Sequence, residues 1–189
     1  MLKKITLLTL TLLTISSFSI AQDLTPIGDS PNYIVLKING LDGNSSLNNH
    51  IGEIEVLTWS WSMSQSGTTH VGGGGGAGKS FVEDMVLTKY VDKASPSLLL
   101  ACLNGGHFPE AVLTVVSGGD QPFDYLVITM SDVLVTSVGT GGSDDFSLTT
   151  EKVTLNFAKV KYSYTPREAS GVPGEAIHFT WDIEKNTQE

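Results

Sequence analysis

The sequence predicts a mainly β protein, a small closed β-barrel of bent antiparallel strands with one flanking α-helix. Short segments rich in β-branched and aromatic residues alternate with clusters of Gly, Pro, Asn and Asp, which is typical of an all-β chain. Two of the segments change the parity of their apolar residues partway along, as strongly bent strands do. A single leucine-rich stretch carries helix signals at both ends. Bent strands favour a barrel over a flat sheet.

The pattern predicts eight strands. In the second strand Ile54 and Val56 have one parity, whereas Leu57, Trp59, Trp61 and Met63 have the other, so a β-bulge near Val56 would turn both sets toward the core. The seventh strand repeats this change at Ala158-Lys159, where the apolar residues pass from odd to even positions. The eight strands are expected at residues 33–38, 54–64, 81–91, 111–117, 123–130, 133–138, 153–164 and 176–183.

One helix is expected after the third strand. Ser95 is positioned to cap it, and Pro96 suits the first helical position, where its missing N–H group costs no hydrogen bond. Gly105 can adopt the left-handed conformation that ends many helices. The leucines between these signals predict a helix that packs on one mouth or flank of the barrel.

The first 21 residues predict a secretory signal peptide. Lys3 and Lys4 precede a Thr-rich apolar stretch, and Ser19-Ile20-Ala21 offers small residues at a cleavage site before Gln22. The stretch is shorter than the ~20 apolar residues that cross a bilayer. We therefore expect a secreted, or periplasmic, mature chain of a single domain, residues 22–189, that is not a membrane protein.

Composition argues against several functions. The formal net charge of −9 repels nucleic acid and anionic lipid. The one cysteine, Cys102, lies in a leucine-rich stretch and predicts a buried small side chain rather than a reactive thiol. The four histidines have no metal-ligand spacing and predict surface or loop positions, and the carboxylate pairs Glu83-Asp84 and Asp144-Asp145 predict solvated charges. We expect no catalytic residue, metal or cofactor.

A P-loop pattern, GGGGAGKS, spans residues 73–80. A phosphate-binding loop needs a buried strand before it and a helix after it. Here the upstream segment is polar and residues 81–90 alternate like a strand, so the match predicts a long glycine loop between two strands. We expect this loop to contact another subunit or ring, through Gly72, Gly73, Gly74, Gly75, Gly76, Ala77, Gly78 and Lys79. A P-loop NTPase is the less favoured alternative, which nucleotide binding dependent on Lys79 would reveal.

Trp59, Trp61 and Met63 stand at alternate positions. Aromatic residues at a period of two are expected in the interior of a barrel, and this spacing predicts core side chains. A carbohydrate-binding barrel is the alternative, and it requires both tryptophans to be exposed.

Several stretches, in order along the chain, resemble one family. They are residues 59–67 (WSWSMSQSG), His70, the glycine run with Lys79, residues 88–93 (TKYVDK), residues 99–102 (LLAC) and residues 153–158 (VTLNFA). Together they are similar to the hemolysin-coregulated protein (Hcp) family, the tube subunits of the bacterial type VI secretion system. The resemblance covers about residue 31 to the end.

This resemblance implies a structural subunit that forms homo-hexameric rings stacked into a hollow tube. It implies as partners the chain itself, a contractile sheath, a spike protein and small effectors carried in the ring lumen. The predicted leader departs from the family, whose tubes assemble in the cytoplasm before they are fired. An Hcp-like ring exported independently of the tube is therefore a further alternative.

Overall fold

The computed structural model describes residues 32–67, 77–119, 121–142, 144 and 148–189. The predicted leader, His70 and Gly72 to Gly76 lie outside these ranges. The elements follow in chain order: β1 (Tyr33–Ile38), β2 (Ile54–Ser60), β3 (Met63–Gly67), β4 (Ala77–Val82), β5 (Met85–Tyr90), α1 (Ser95–Asn104), β6 (His107–Val116), β7 (Asp124–Gly141), β8 (Thr150–Tyr164), β9 (Ile177–Asp182) and β10 (Thr187–Gln188).

Six antiparallel strands close into a barrel in the order β8-β5-β2-β1-β6-β7, and β7 pairs with β8 to complete it. The prediction of a closed, mainly β barrel with one helix is confirmed. One edge of β8 pairs with β7. The other edge pairs with β5 near the start of β8 and with β9 near its end. Inward side chains fill the barrel, among them Leu36, Ile38, Ile54, Met85, Leu87, Leu113, Ile128, Met130 and Leu155.

Both predicted bends occur. The register of β2 against β5 shifts between Val56 and Thr58, at the expected bulge. In β8 the buried residues pass from Phe157 to Val160, as the change of parity predicted. Opposite this bend, Asp132 of β7 has a φ of 56°, a left-handed conformation that lets β7 change parity too. The two strands expected at 123–130 and 133–138 are therefore one long strand, bent at Asp132.

The strands expected at 54–64 and 81–91 are each broken. β3 and β4 leave the barrel wall and pair only with each other, as a separate two-stranded hairpin. Two hydrogen bonds join the points of departure: Trp61 Nε1 donates to the carbonyl oxygen of Glu83, and the Glu83 N–H donates to that of Ser62, each at 3.0 Å. The hairpin therefore begins at a fixed position on the barrel.

The helix α1 ends as predicted, because Gly105 is left-handed (φ 68°) and its N–H group bonds back to Ala101. Its start differs from the prediction. Ser95 is the first helical residue rather than the cap, and its hydroxyl is buried. Ala94 is the N-cap and makes no side-chain capping bond, while Asp92 Oδ1 accepts the Ala94 N–H at 2.9 Å in the turn before the helix.

Candidate subunit-contact surface and buried charges

The residues of the P-loop pattern that the structure describes lie in a strand. Lys79 and Ser80 belong to β4, and Ser80 is paired with Gln65 of β3. The Ser80 N–H and hydroxyl groups both donate to Oδ1 of Asn186, at 3.2 and 2.5 Å. A phosphate-binding serine would instead begin a helix, with its backbone N–H group free to face the ligand. The geometry argues against nucleotide binding and ties the hairpin to the turn between β9 and β10.

An apolar cleft of about 300 Å³ separates the hairpin from the barrel. The hairpin lines one side and β8 and β9 line the other, with Trp61, Met63, Val82, Val160, Phe179 and Trp181 providing the apolar surface. Met63 is 53% exposed, so its prediction as a core residue is wrong, and Leu57 is also exposed. The physical reason is that Met63 follows the departure of the hairpin from the wall. Trp59 and Trp61 are partly buried and pack against the core, as predicted.

A second apolar surface lies on α1. Leu98 and Ala101 face the barrel and are buried, whereas Leu99, Leu100 and Leu103 are exposed. No residue of this helix carries a charge. Cys102 is half-buried among these leucines rather than fully buried as predicted.

A buried ion cluster joins β5, β8 and the start of α1. Lys89 is fully buried, and its Nζ donates to Glu151 Oε1 and Asp92 Oδ1, both at 2.7 Å, and to the Tyr90 carbonyl oxygen at 2.8 Å. The Ser95 hydroxyl donates to the same Glu151 oxygen at 2.7 Å. The three protons of the ammonium group are thus all used, as a buried charge requires.

The sequence contained a signal for this cluster that we did not use. Lys89 continues the odd-numbered series of buried residues in β5, Met85 and Leu87, and Glu151 precedes the odd-numbered series in β8. Opposite charges at core positions of two strands predict a buried ion pair, and Lys89 and Glu151 are indeed direct partners in the sheet.

His50 is a second buried titratable group. It lies in a loop, as predicted, but it is only 7% exposed. Its Nδ1 lies 3.0 Å from Glu53 Oε2, and its Nε2 lies 3.0 Å from Asp124 Oδ1. Burial lowers the pKa of the imidazole, but the hydrogen bonds to Asp124 and Glu53 outweigh burial, and the pKa is raised above 6.5.

A network of charges around the buried Asp182 carboxylate holds the last turn of the chain. The Lys185 N–H and ammonium groups donate to the Asp182 carboxylate at 2.8 and 2.9 Å, and Lys159 lies 3.3 Å from it. These bonds, the backbone one first, hold the pKa of Asp182 well below its usual range. Hydrogen bonds to Glu189 and Asp182 raise the pKa of Lys159.

Within the described ranges, no group of three or more His, Cys, Asp or Glu side chains is placed to hold a metal ion. Nor does the part of the chain that the structure describes contain a helix with the length and apolar character needed to span a bilayer. Of the carboxylate pairs, Asp84 bonds to Thr136 and Asn156 at the protein surface.

Comparisons with known proteins agree with this architecture. Residues 35–164 match the family model of "Type VI secretion system effector, Hcp". Protein hcp1 of Pseudomonas aeruginosa is 50% identical over 155 residues, which are 81% of this chain and 96% of that protein.

Solved structures give the same result. Hcp1 from Salmonella typhimurium superposes with a TM-score of 0.68 at 33% identity, over 84% of this chain and 99% of that one. A type VI secretion system effector from Yersinia pestis has a TM-score of 0.64 at 30% identity, over 79% and 99% of the two chains. The chain therefore belongs to the Hcp family, the structural tube subunits of the type VI secretion system.

Proposed function

We propose that the mature chain, residues 22–189, assembles into homo-hexameric rings that stack into the secretion tube. Family membership supports this role, and one observation of the surface carries it: the apolar cleft beside the hairpin opens to solvent. Met63 on one side is 53% exposed, and Ile177, beside Phe179 on β9, is 68% exposed. Contiguous apolar surface of this kind marks a protein contact site.

The outer backbone edge of β9 adds to this surface. β8 covers one edge of β9 along its whole length, whereas β10 and Glu189 cover the other edge only from Thr180 to Asp182. Among the described residues, none pairs in a sheet with the outer edge of Ile177 to Phe179. An open strand edge beside an apolar cleft can receive a strand or loop from a neighbour.

In a ring of identical subunits, the cleft of one copy would be filled by a different surface of the neighbouring copy. Such a heterologous contact repeats by rotation and closes into a ring. Ile177→Lys and Phe179→Lys should therefore abolish the hexamer in native mass spectrometry. Val172→Lys, which charges an exposed apolar residue between β8 and β9, is the matched control and should leave the hexamer intact. A hexamer that survives both of these substitutions on β9 would show that the ring contact lies elsewhere.

We assign the loop of Gly72 to Lys79 to contact between stacked rings. Its described residues, Ala77 to Lys79, are not a loop as predicted but the start of β4, and Ala77 pairs with Gly67 at the end of the hairpin farthest from the barrel. Five consecutive glycines adapt readily to a neighbour, at an ordering cost of ~1–2 kcal/mol per residue. Deletion of Gly73 to Gly75 should leave single rings intact and prevent their stacking in electron micrographs. Normal stacks from this variant would contradict the assignment.

The chain is a secreted protein of the type VI system, and we propose that its further partners are the sheath, the spike and small effectors in the lumen, with no catalytic role. The predicted leader raises a separate proposal, export by the general pathway. In a strain without the contractile apparatus, mass spectrometry should then find an extracellular species that begins at Gln22. Full-length chain retained in the cells would contradict independent export and leave the tube as the only route out.

A further inference from the structure

We propose that His50 is a pH-sensitive latch: as an imidazolium it fastens the loop of residues 41–53 to the start of β7, and on losing a proton it releases that loop. The proposal concerns one subunit and does not depend on ring assembly.

The hydrogen bonds define the charge state of the latch. Both ring nitrogens of His50 lie 3.0 Å from carboxylate oxygens, of Glu53 on one side and Asp124 on the other. An ionised carboxylate only accepts hydrogen bonds, so both nitrogens must donate, and only the imidazolium has two N–H groups. Neutral His50 can keep one bond and must give up the other.

The bond to Asp124 is the one that should open. The Glu53 side chain is 15% exposed and belongs to the same loop, whereas the Asp124 side chain is 46% exposed and can be solvated by water instead. Burying an unpaired carboxylate costs more than exposing one. The neutral ring therefore keeps Glu53 and releases Asp124.

The loop is held together by its own backbone hydrogen bonds, which should open more often once the latch is released. Its backbone bonds to itself, from Gly43 N–H to the Gly52 carbonyl oxygen at 2.7 Å and from Ser45 N–H to that of Glu53 at 2.9 Å. Within the described part of the chain, the His50–Asp124 bond is the one side-chain hydrogen bond that joins residues 42–53 to another element. Gly40, with a φ of 84°, precedes the loop, and a glycine changes its backbone angles there at little steric cost.

A cavity of about 380 Å³ lies under the latch. It separates the loop from the segment before β7, and its other lining residues, which include Asn48, Asn49, Val116 and Phe123, carry no charge. A further charge beside this cavity is the Arg167 guanidinium, which lies 4.7 Å from the centre of the Phe123 ring. Release of His50 opens this cavity and frees the loop that carries the exposed Ile51.

The sign of the pH dependence follows from the raised pKa of His50. The closed loop binds the His50 proton more tightly than the open loop, so closure is fully favoured below pH 6.5 and is lost as the pH rises through the higher, closed-state pKa. The loop should be fastened in mild acid and loose in alkali.

Hydrogen exchange and NMR on the whole mature chain test the latch. Exchange protection of the Gly43, Ser45 and Gly52 amides, corrected for the intrinsic pH dependence, should fall from pH 6 to pH 9 by about tenfold for each unit by which the closed-state pKa exceeds 6.5. His50→Gln should remove this dependence. His107→Gln, which removes a largely exposed histidine 3.2 Å from Asp132, is the matched control and should retain it.

The unmodified protein supplies a second measurement if His50→Gln does not fold. In the unmodified protein, the two ring nitrogens of His50, observed by ¹⁵N NMR, should both remain protonated above pH 6.5. Their titration should coincide with the loss of loop protection. Titration of His50 below pH 6.5, or loop protection that stays constant across its titration, would overturn the proposal.

Discussion

At the scale of single residues, this barrel contains charges where its pattern calls for apolar side chains. Lys89 and Glu151 face inward on adjacent strands, and Asp92 and Ser95 also bond to them, whereas Glu151 Oε2 is buried without a hydrogen-bond partner. Such a cluster is costly to bury, and a well-packed apolar replacement can be equally stable. What it provides is a defined connection between the barrel wall and the start of α1.

Lys89→Met should be strongly destabilising, because it leaves two buried carboxylates without their cation. We expect a loss of ~3–5 kcal/mol in the free energy of unfolding, measured by denaturant titration. Lys37→Met, on the exposed face of β1, is the matched control and should change stability by no more than ~0.5 kcal/mol.

A double substitution separates charge from packing. Lys89→Met combined with Glu151→Leu removes both members of the pair, and it should recover part of the stability that Lys89→Met alone loses. A loss for Lys89→Met no greater than that of Lys37→Met would mean that the cluster contributes little to folding.

At the scale of elements, the sequence predicted what depends on local pattern. The barrel strands, the two bends and the glycine end of α1 follow from parity and from backbone preferences, and the structure confirms them. The departure of β3 and β4 from the wall was missed, since Trp59, Trp61 and Met63 keep one period across the break. Only tertiary contacts, such as the bond from Trp61 to Glu83, reveal where the hairpin begins.

The candidate sites were less predictable than the fold. Lys89 and Glu151 are 62 residues apart and His50 and Asp124 are 74 apart, so no local pattern connects either pair. A charge on the core side of a strand does signal that a partner exists, and the topology then identifies it. For His50, which lies in a loop without periodicity, the sequence holds no comparable signal.

The loop of residues 41–53 gives an element-scale prediction. A Cβ atom on Gly43 would lie 2.3 Å from the carbonyl oxygen of Glu53, so the two passes of the chain cannot approach this closely with any other residue. Gly43→Ala should lower the free energy of unfolding by ~1–3 kcal/mol, and with it the melting temperature. It should also weaken the exchange protection of the loop. Gly139→Ala, where a Cβ atom meets nothing within 4 Å, is the matched control. Equal melting temperatures for the two variants would contradict the close approach.

At the scale of the whole molecule, the chain combines a rigid barrel with uncovered apolar surface on two elements. The cleft beside the hairpin exposes the apolar side chains of Met63 and Phe179. The leucine face of α1 exposes Leu103. Exposed apolar surfaces of this kind are typical of protein contact sites. In the proposed assembly, ring closure and stacking would cover them.

The most direct test of this account is the mass of the assembly that the mature chain forms. Native mass spectrometry of residues 22–189, supported by light scattering at micromolar concentration, should give a particle of six subunits. The apolar cleft would be covered in every subunit of a closed ring, so intermediate assemblies should be scarce. A chain that remains monomeric throughout this concentration range would contradict the role of ring-forming tube subunit.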